Sequence, residues 1–141
     1  MTILLAYDGR PNSEKALDYA IKHSAYYSEP LYILTVVSKD QADPADPDPA
    51  VREYMEAAVG KAAAEGVSVH TMIEVGKPDE TVLEVADLYM CDTIIVGRSS
   101  RSSLDKLFLG SVSNYVVKNA ECTVIIVGNS ERGGDPGVPR A

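Results

Sequence analysis

Short apolar runs alternate with amphipathic stretches along the whole chain. Apolar runs at residues 2–7, 31–37, 93–96 and 123–127 are flanked by Gly, Pro or acidic residues, which is typical of strands buried inside a sheet. Between residues 67 and 75, apolar and polar positions alternate with a period of two. That period indicates a further strand with unequal faces, such as one at a sheet edge. The pattern therefore predicts five strands.

Helical spacing of apolar residues predicts a helix in each segment between strands. The first helix is expected to begin at a cap on Asn12 or Ser13, since both side chains can accept a backbone N–H. Pro78 suits the first turn of the third helix, and residues 104–119 are expected to be largely helical. The residues expected on the apolar helix faces are Ala16, Leu17, Ala20, Ile21, Tyr54, Met55, Ala58, Val59, Ala62, Val82, Leu83, Val85, Ala86 and Tyr89.

The segment from residue 38 to residue 50 is expected to be a solvated acidic loop. Its three Asp-Pro steps disfavour helix, because the residue before a proline avoids the helical region. Helix is expected to resume near Val51 and to end at Gly66.

Strands that alternate with helices require a parallel sheet covered on both faces by right-handed crossovers. We therefore predict an α/β fold: a single-domain, Rossmann-like open sheet of five parallel strands, spanning residues 2–128. Residues 129–141 are rich in Gly, Pro and charge and are expected to form a flexible tail.

Composition narrows the range of partners and locations. Thirteen Lys and Arg against 21 Asp and Glu give a formal net charge of −8, and this field repels nucleic acid. No segment is long and apolar enough to cross a membrane, and the N-terminal residues lack the basic region of a signal peptide. We expect a cytoplasmic protein without nucleic-acid or membrane partners; its protein partner is not predicted.

Cysteines and histidines are too few and too scattered to predict a metal site. Cys91 and Cys122 each precede an apolar run, so they are neighbours if those runs pair in parallel. Buried or half-buried inert thiols are expected, with a redox pair as the alternative. His23 and His70 fall in different elements without ligand spacing.

Two loops lie where an α/β sheet binds its ligands. In an open parallel sheet, ligands bind beyond the carboxyl ends of the strands, where the strand order reverses. The loop Tyr7-Asp8-Gly9 follows the first strand, and residues 97–113 (GRSSRSSLDKLFLGSVS) follow the fourth. If these strands adjoin, both loops face one crevice.

The loop at residues 97–113 has two interpretations from chemistry alone. As a phosphate cradle, Gly97 would let the backbone approach a ligand, and Gly110 would begin a helix whose free N–H groups bind an anion. As a purely structural loop, Gly97 would close a strand and Gly110 would relieve helix packing. The side chains that add donors to a cradle are Arg98, Ser100, Arg101, Ser111 and Ser113.

The spacing within this loop resembles the signature of the universal stress protein family. That signature is G-x2-G-x9-G-[ST], and the chain has Gly97-x2-Ser100-x9-Gly110-Ser111, with serine in place of the second glycine. The segments YDGRPNSEKAL, GKPDETVLEVA and CTVIIV are also similar to the family's sequences. The resemblance covers about residues 2–127.

The resemblance implies a fold, a ligand and an assembly. It implies the strand order 3-2-1-4-5 and a homodimer paired through the last strand, Thr123 to Val127. It implies that ATP or AMP binds, with or without Mg²⁺. We expect binding to survive the serine at position 100, at equal or lower affinity, because its hydroxyl can donate to the same phosphate. The residues that the resemblance implies at the nucleotide are Asp8, Val37, Gly97, Ser100, Gly110, Ser111, Val112 and Ser113. The adjoining residues of the two loops, Ala6, Tyr7, Arg98 and Arg101, are predicted there as well.

Three functions remain open after other nucleotide-related classes are excluded. The sequence lacks a P-loop and the Ser-Gly-Gly loop of ATP pyrophosphatases. It also lacks the aspartate after strand three and the lysine after strand five that a response regulator needs. A nucleotide-dependent regulatory dimer for the stress response is favoured over a slow Mg-dependent ATPase, because no residue besides Asp8 offers a general base. We assign no catalytic residue. A nucleotide-free structural dimer is the third alternative.

Overall fold

The computed structural model describes residues 1–41, 46–98 and 110–128 of the chain. The sheet contains β1 (Ile3–Ala6), β2 (Leu31–Val37), β3 (Val69–Val75), β4 (Thr93–Gly97) and β5 (Thr123–Val127). The helices are α1 (Pro11–Tyr27), α2 (Pro49–Ala64), α3 (Pro78–Leu88) and α4 (Ser111–Asn119), with a 3-10 turn at Lys39–Gln41. The predicted tail, residues 129–141, lies outside the described residues.

The strands form one parallel sheet in the order β3-β2-β1-β4-β5. Pairing aligns Leu5 of β1 with Ile33 of β2 on one side and with Ile95 of β4 on the other. The predicted α/β fold, the strand order and the edge position of β3 are therefore confirmed.

Successive residues along each strand pack on opposite faces of the sheet, and each face is covered by a pair of helices. Ile3, Leu5 and Ile95 pack with α1 and α2 on one face. Leu4 and Ile94 pack with α3 and α4 on the other face. Because both faces are buried, the central strands read as continuous apolar runs rather than alternating ones.

Helix α1 begins earlier than its sequence indicates. Arg10 is the N-cap and Pro11 occupies the first helical position, so the predicted cap on Asn12 or Ser13 is wrong. The fixed φ of proline suits the first turn, and its missing N–H would have had no intrahelical partner. Asn12 and Ser13 lie inside that turn, where both are buried.

Helix α2 begins at Pro49, two residues before the predicted start near Val51. Asp48 caps it by accepting the Ala50 N–H at 2.8 Å. The aspartate before a proline avoids helical backbone angles, whereas the proline itself suits the first helical position. The Asp48-Pro49 step therefore marks the start of α2. The predicted end at Gly66 is confirmed, since Gly66 follows the helix with a φ of +71°.

Two residues predicted on buried helix faces are exposed instead. Val59 of α2 and Tyr89 after α3 are each 40% exposed. Tyr89 is the C-cap residue of α3, and its ring contacts that of Tyr32 at a centroid distance of 5.3 Å. Within the predicted helix at residues 104–119, the described helix begins at Ser111, and residues 104–109 lie outside the described part of the chain.

The two cysteines precede adjacent strands, as the sequence indicates. Both are free; Cys91 is buried and Cys122 is half-buried, and both line one cavity of about 360 Å³. Burial, the Cys122 thiol and Asp92 raise the pKa of Cys91 to about 11. Burial also raises the pKa of Cys122. Thiols held protonated in this way are weak nucleophiles at neutral pH.

Among the helices within the described ranges, none combines the length and apolar character needed to cross a membrane.

Candidate functional site

A crevice of about 530 Å³ opens at the carboxyl ends of β1 and β4, where the strand order reverses. The start of α1, the start of α4 and Pro78 at the start of α3 complete its walls. The residues placed there both by the sequence and by the structure are Ala6, Tyr7, Asp8, Gly97, Arg98, Gly110, Ser111, Val112 and Ser113. Tyr7 and Asp8 of the first loop and the described ends of the second loop, residues 97–98 and 110–113, therefore line one crevice.

Asp8 is held in a fixed orientation at the wall formed by β1 and α1. Its Oδ1 accepts the Arg10 backbone N–H at 2.9 Å and the Ser13 hydroxyl at 2.8 Å. The Ser13 oxygen in turn accepts the Asp8 N–H at 3.2 Å. The Asp8 side chain remains 56% exposed, and the Arg10 guanidinium lies 3.8 Å from Oδ2. This geometry presents an oriented acceptor to the crevice.

The first turn of α4 forms the opposite wall. Gly110 is the N-cap, with φ +82° and ψ 162°, a backbone conformation that favours glycine. It has no side chain to cap the free N–H groups of the first turn, and that turn, Ser111-Val112-Ser113-Asn114, contains no acid. Free amides and the positive end of the helix dipole together favour an anion at this place.

Gly97 is required by packing within the protein. A Cβ at this position would lie 2.7 Å from the backbone oxygen of Asn12 and 3.0 Å from its carbonyl carbon. The close approach that the glycine permits is therefore that of helix α1. The next residue, Arg98, donates its backbone N–H to the Val127 carbonyl of β5 at 2.9 Å.

The floor of the crevice is apolar, and the sequence does not predict it as part of the site. It consists of buried or half-buried side chains on the α3 and α4 face of the sheet. These residues are Leu34, Val36, Val82 and Val96. They look like core residues in the sequence, and Leu34, Val82 and Val96 are almost fully buried beneath the crevice in the structure as well.

Val37 lies apart from the residues that line the crevice. It pairs with Val75 at the end of β2 and accepts the Gly76 N–H at 3.0 Å through its carbonyl. The preceding residue, Val36, lines the crevice instead. A role for Val37 at the nucleotide stays a prediction. The other two predicted residues, Ser100 and Arg101, lie outside the described residues.

Arg10, Asn12, Ser13 and Pro78 also line the crevice although the sequence did not single them out as site residues. All four precede or occupy the first turn of a helix that follows a parallel strand. Their position at the start of a helix could have identified them from the sequence, because the first turns of such helices lie together at the carboxyl edge of the sheet.

Tyr7 directs its hydroxyl toward helix α1. The hydroxyl donates to Glu14 of α1, and the buried ring packs edge-on against Tyr54 of α2 at 5.4 Å. Burial, followed by the hydrogen bond to Glu14, raises the pKa of Tyr7. Lys61 of α2 donates to Glu14 and to Asp18 at 2.9 Å each, which links α2 to α1. Tyr7 thus supports the wall of the crevice from behind.

Residues 1–41, 46–98 and 110–128 hold no group of three or more His, Cys, Asp or Glu side chains arranged to bind a metal ion. His23 lies in α1 and His70 in β3.

An open parallel sheet with a helix N-terminus at its switch point is the architecture of α/β proteins that bind ligands outside the carboxyl ends of their strands. The chain belongs to the universal stress protein family, whose profile matches residues 1–128.

Sequence and structure comparisons agree with this family. A universal stress protein of Thermus aquaticus is 28% identical over 134 residues, covering 89% of this chain and 97% of that protein. Sll1388 of Synechocystis is 27% identical over 105 residues, covering 74% and 67% respectively. A crystal structure of a universal stress protein in complex with cAMP has a TM-score of 0.76 at 26% identity, covering 92% of this chain and 98% of the other.

Proposed function

We propose that this protein binds an adenine nucleotide, ATP or AMP, in the crevice between β1 and β4. The observation that carries the proposal is the uncapped first turn of α4, which begins at Gly110 across the crevice from Asp8. The similarity to a universal stress protein solved with cAMP supports an adenine ligand.

The chemistry of the walls suggests how the ligand is oriented. Phosphate oxygens need N–H and hydroxyl donors, which Ser111, Val112 and Ser113 supply at the start of α4. The base and ribose need apolar contact and an oriented acceptor, which the floor and Asp8 supply. We therefore place the phosphates at α4 and the nucleoside toward Asp8.

Mg²⁺ is proposed only as an ion that accompanies a triphosphate. Magnesium prefers oxygen ligands and is usually bound through substrate phosphates and one or two carboxylates. The Asp8 carboxylate and the Ser111 hydroxyl are among the oxygen groups that the described walls offer.

We propose binding rather than turnover as the main activity. Of the described residues that line the crevice, Asp8 is the one carboxylate, and its Oδ1 already accepts two hydrogen bonds. A general base must be free to accept a proton from the attacking water. Hydrolysis, where it occurs, should be slow.

The nucleotide content of freshly purified protein tests the proposal directly. The protein is denatured, and the supernatant is separated by anion exchange against adenylate standards. Bound ATP or AMP is the expected result, whereas ADP would indicate turnover. Protein that retains nothing, and binds no added adenylate in calorimetry, would contradict the proposal and support a nucleotide-free dimer.

Gly110→Ala should weaken ATP binding by at least about tenfold. A Cβ at this position adds bulk beside the first-turn amides, and the positive φ strains any L-residue. Gly66→Ala is the matched control, since Gly66 has a φ of +71° and a Cβ there would have no atom within 4 Å. Calorimetric titration should separate the two variants. Equal ATP affinity in both would place the phosphates elsewhere.

We also propose that β5 pairs with the β5 of a second copy to form a homodimer. Thr123 donates to Asp92, and Val127 accepts from Arg98, so the odd-numbered residues of β5 direct their backbone groups to β4. In a parallel strand the intervening residues, Val124 and Ile126, then direct theirs outward. A second strand can pair with these groups, which would also remove an exposed edge.

Val124→Pro should weaken the dimer at least about tenfold while the domain stays folded. The proline removes an outward N–H and leaves the hydrogen bonds to β4 intact. Val124→Ala keeps that N–H and serves as the control. Sedimentation velocity over a concentration series measures the change; a proline variant that dimerises like the alanine variant would exclude backbone pairing through β5.

We further propose that nucleotide occupancy regulates this dimer or its partner choice during stress. The protein partner is not identified by the chain, and the cytoplasmic location remains a prediction from the sequence.

A further inference from the structure

Asn12 makes a hydrogen bond that joins two walls of the crevice. It lies in the first turn of α1, where it is 7% exposed. Its side-chain Nδ2 donates to the backbone carbonyl of Arg98, which follows β4 and is 86 residues away in sequence. A buried amide that reaches between elements in this way fixes their relative position.

The Arg98 peptide is held from two sides by this contact. Its N–H donates to the Val127 carbonyl of β5 at 2.9 Å, while its carbonyl accepts from Asn12. The preceding residue, Gly97, lies directly against the Asn12 backbone. Arg98 lines the crevice together with Ser111 and Ser113 at the start of α4. Asn12 therefore fixes the position of the Arg98 peptide within that wall.

Neighbouring residues of α1 divide their contacts between the two ends of the site. Ser13 holds Asp8, at the end we assign to the nucleoside. Asn12 holds Arg98, next to Gly97 and on the β4 side of the crevice. Loss of the Asn12 amide should therefore disturb the Arg98 peptide on the β4 side of the crevice, while Asp8 keeps its hydrogen bonds to Ser13.

We infer that Asn12 is a positioning residue for phosphate recognition: through Arg98 it sets the preference of the crevice for ATP over adenosine. This inference rests on the proposed function and deepens it.

The test compares ATP and adenosine affinities in Asn12→Ala and in a control, Asn119→Ala. Asn119 also donates its side-chain amide to a backbone carbonyl, that of Tyr115 at 2.9 Å, but on the exposed last turn of α4. By calorimetry, Asn12→Ala should bind ATP about tenfold more weakly and adenosine within about twofold of wild type. Asn119→Ala should match wild type for both ligands.

Asn12→Leu provides a second test if the alanine variant folds poorly. Its side chain is similar in size to that of asparagine, carries no charge and cannot donate to the Arg98 carbonyl. It should also lose ATP affinity and keep adenosine affinity. The thermal midpoint of each variant establishes that the protein is folded before titration.

Three outcomes would overturn the inference. Unchanged ATP affinity in both Asn12 variants would show that the contact has no role in recognition. An equal loss of ATP and adenosine affinity would show a general structural role. Wild-type protein that binds neither ligand would overturn the proposed function itself, and the inference with it.

Discussion

Replacing Gly97 with alanine should lower the free energy of unfolding by about 3 kcal/mol. The new Cβ would lie 2.7 Å from the Asn12 backbone oxygen and 3.3 Å from the Ser13 backbone nitrogen. These atoms belong to the rigid first turn of α1, so no flexible side chain can move aside to relieve the overlap. Either α1 or the end of β4 must shift.

Urea denaturation of wild type, Gly97→Ala and Gly128→Ala measures this effect. Gly128 follows β5 as Gly97 ends β4, but a Cβ there would have no atom of the described residues within 4 Å. Gly128→Ala should therefore stay within about 0.5 kcal/mol of wild type. Equal stability of the two variants would mean that α1 tolerates displacement, and the packing account of Gly97 would then be wrong.

Raising the pH from about 9 to about 11 should destabilise the protein, with Cys91 contributing up to about 3 kcal/mol. A thiol is neutral when protonated, and burial raises the pKa of Cys91 from 9.0 to about 11. Between these values the unfolded chain loses the proton and the folded chain keeps it. The stabilisation is complete below pH 9 and declines as the pH rises toward the folded pKa. The raised pKa of Tyr7 adds to the same trend at higher pH.

Denaturation of wild type and Cys91→Ala at intervals from pH 8 to pH 11 separates this contribution. The alanine variant should be less stable at pH 8, because a small buried side chain is truncated. Its stability should nevertheless fall less steeply with pH. Cys122→Ala, which removes the half-buried thiol, serves as the control and should retain most of the slope. Parallel pH profiles for wild type and Cys91→Ala would contradict the assignment.

The order of strands and helices was predictable because the hydrophobic pattern of each element is strong and matches its burial. The central strands of this sheet are short apolar runs buried on both faces, and β3 alternates because it lies at the edge. Helix starts were less predictable, because capping residues and proline compete for the same role. At α1, Pro11 determines the start while Ser13 binds Asp8 instead of capping the helix.

The polar parts of the site were more predictable than its apolar floor. Asp8 and Gly110 were predictable because they lie just after a strand and just before a helix, at the edge where open parallel sheets bind ligands. Val36 and Val96 are chemically indistinguishable from core residues, and which of them meets a ligand depends on how α3 and α4 pack. Gly97 was recognisable as important, but its close neighbour, the Asn12 backbone, is distant in sequence.

The unequal burial of the two cysteines gives the native chain a built-in attachment point for a spectroscopic probe. Cys122 is half-buried and immediately precedes β5, whereas Cys91 is buried. A maleimide dye at limiting concentration should therefore react with Cys122 first. Energy transfer between labelled copies would then report the approach of two β5 edges in real time, with no residue of the protein replaced.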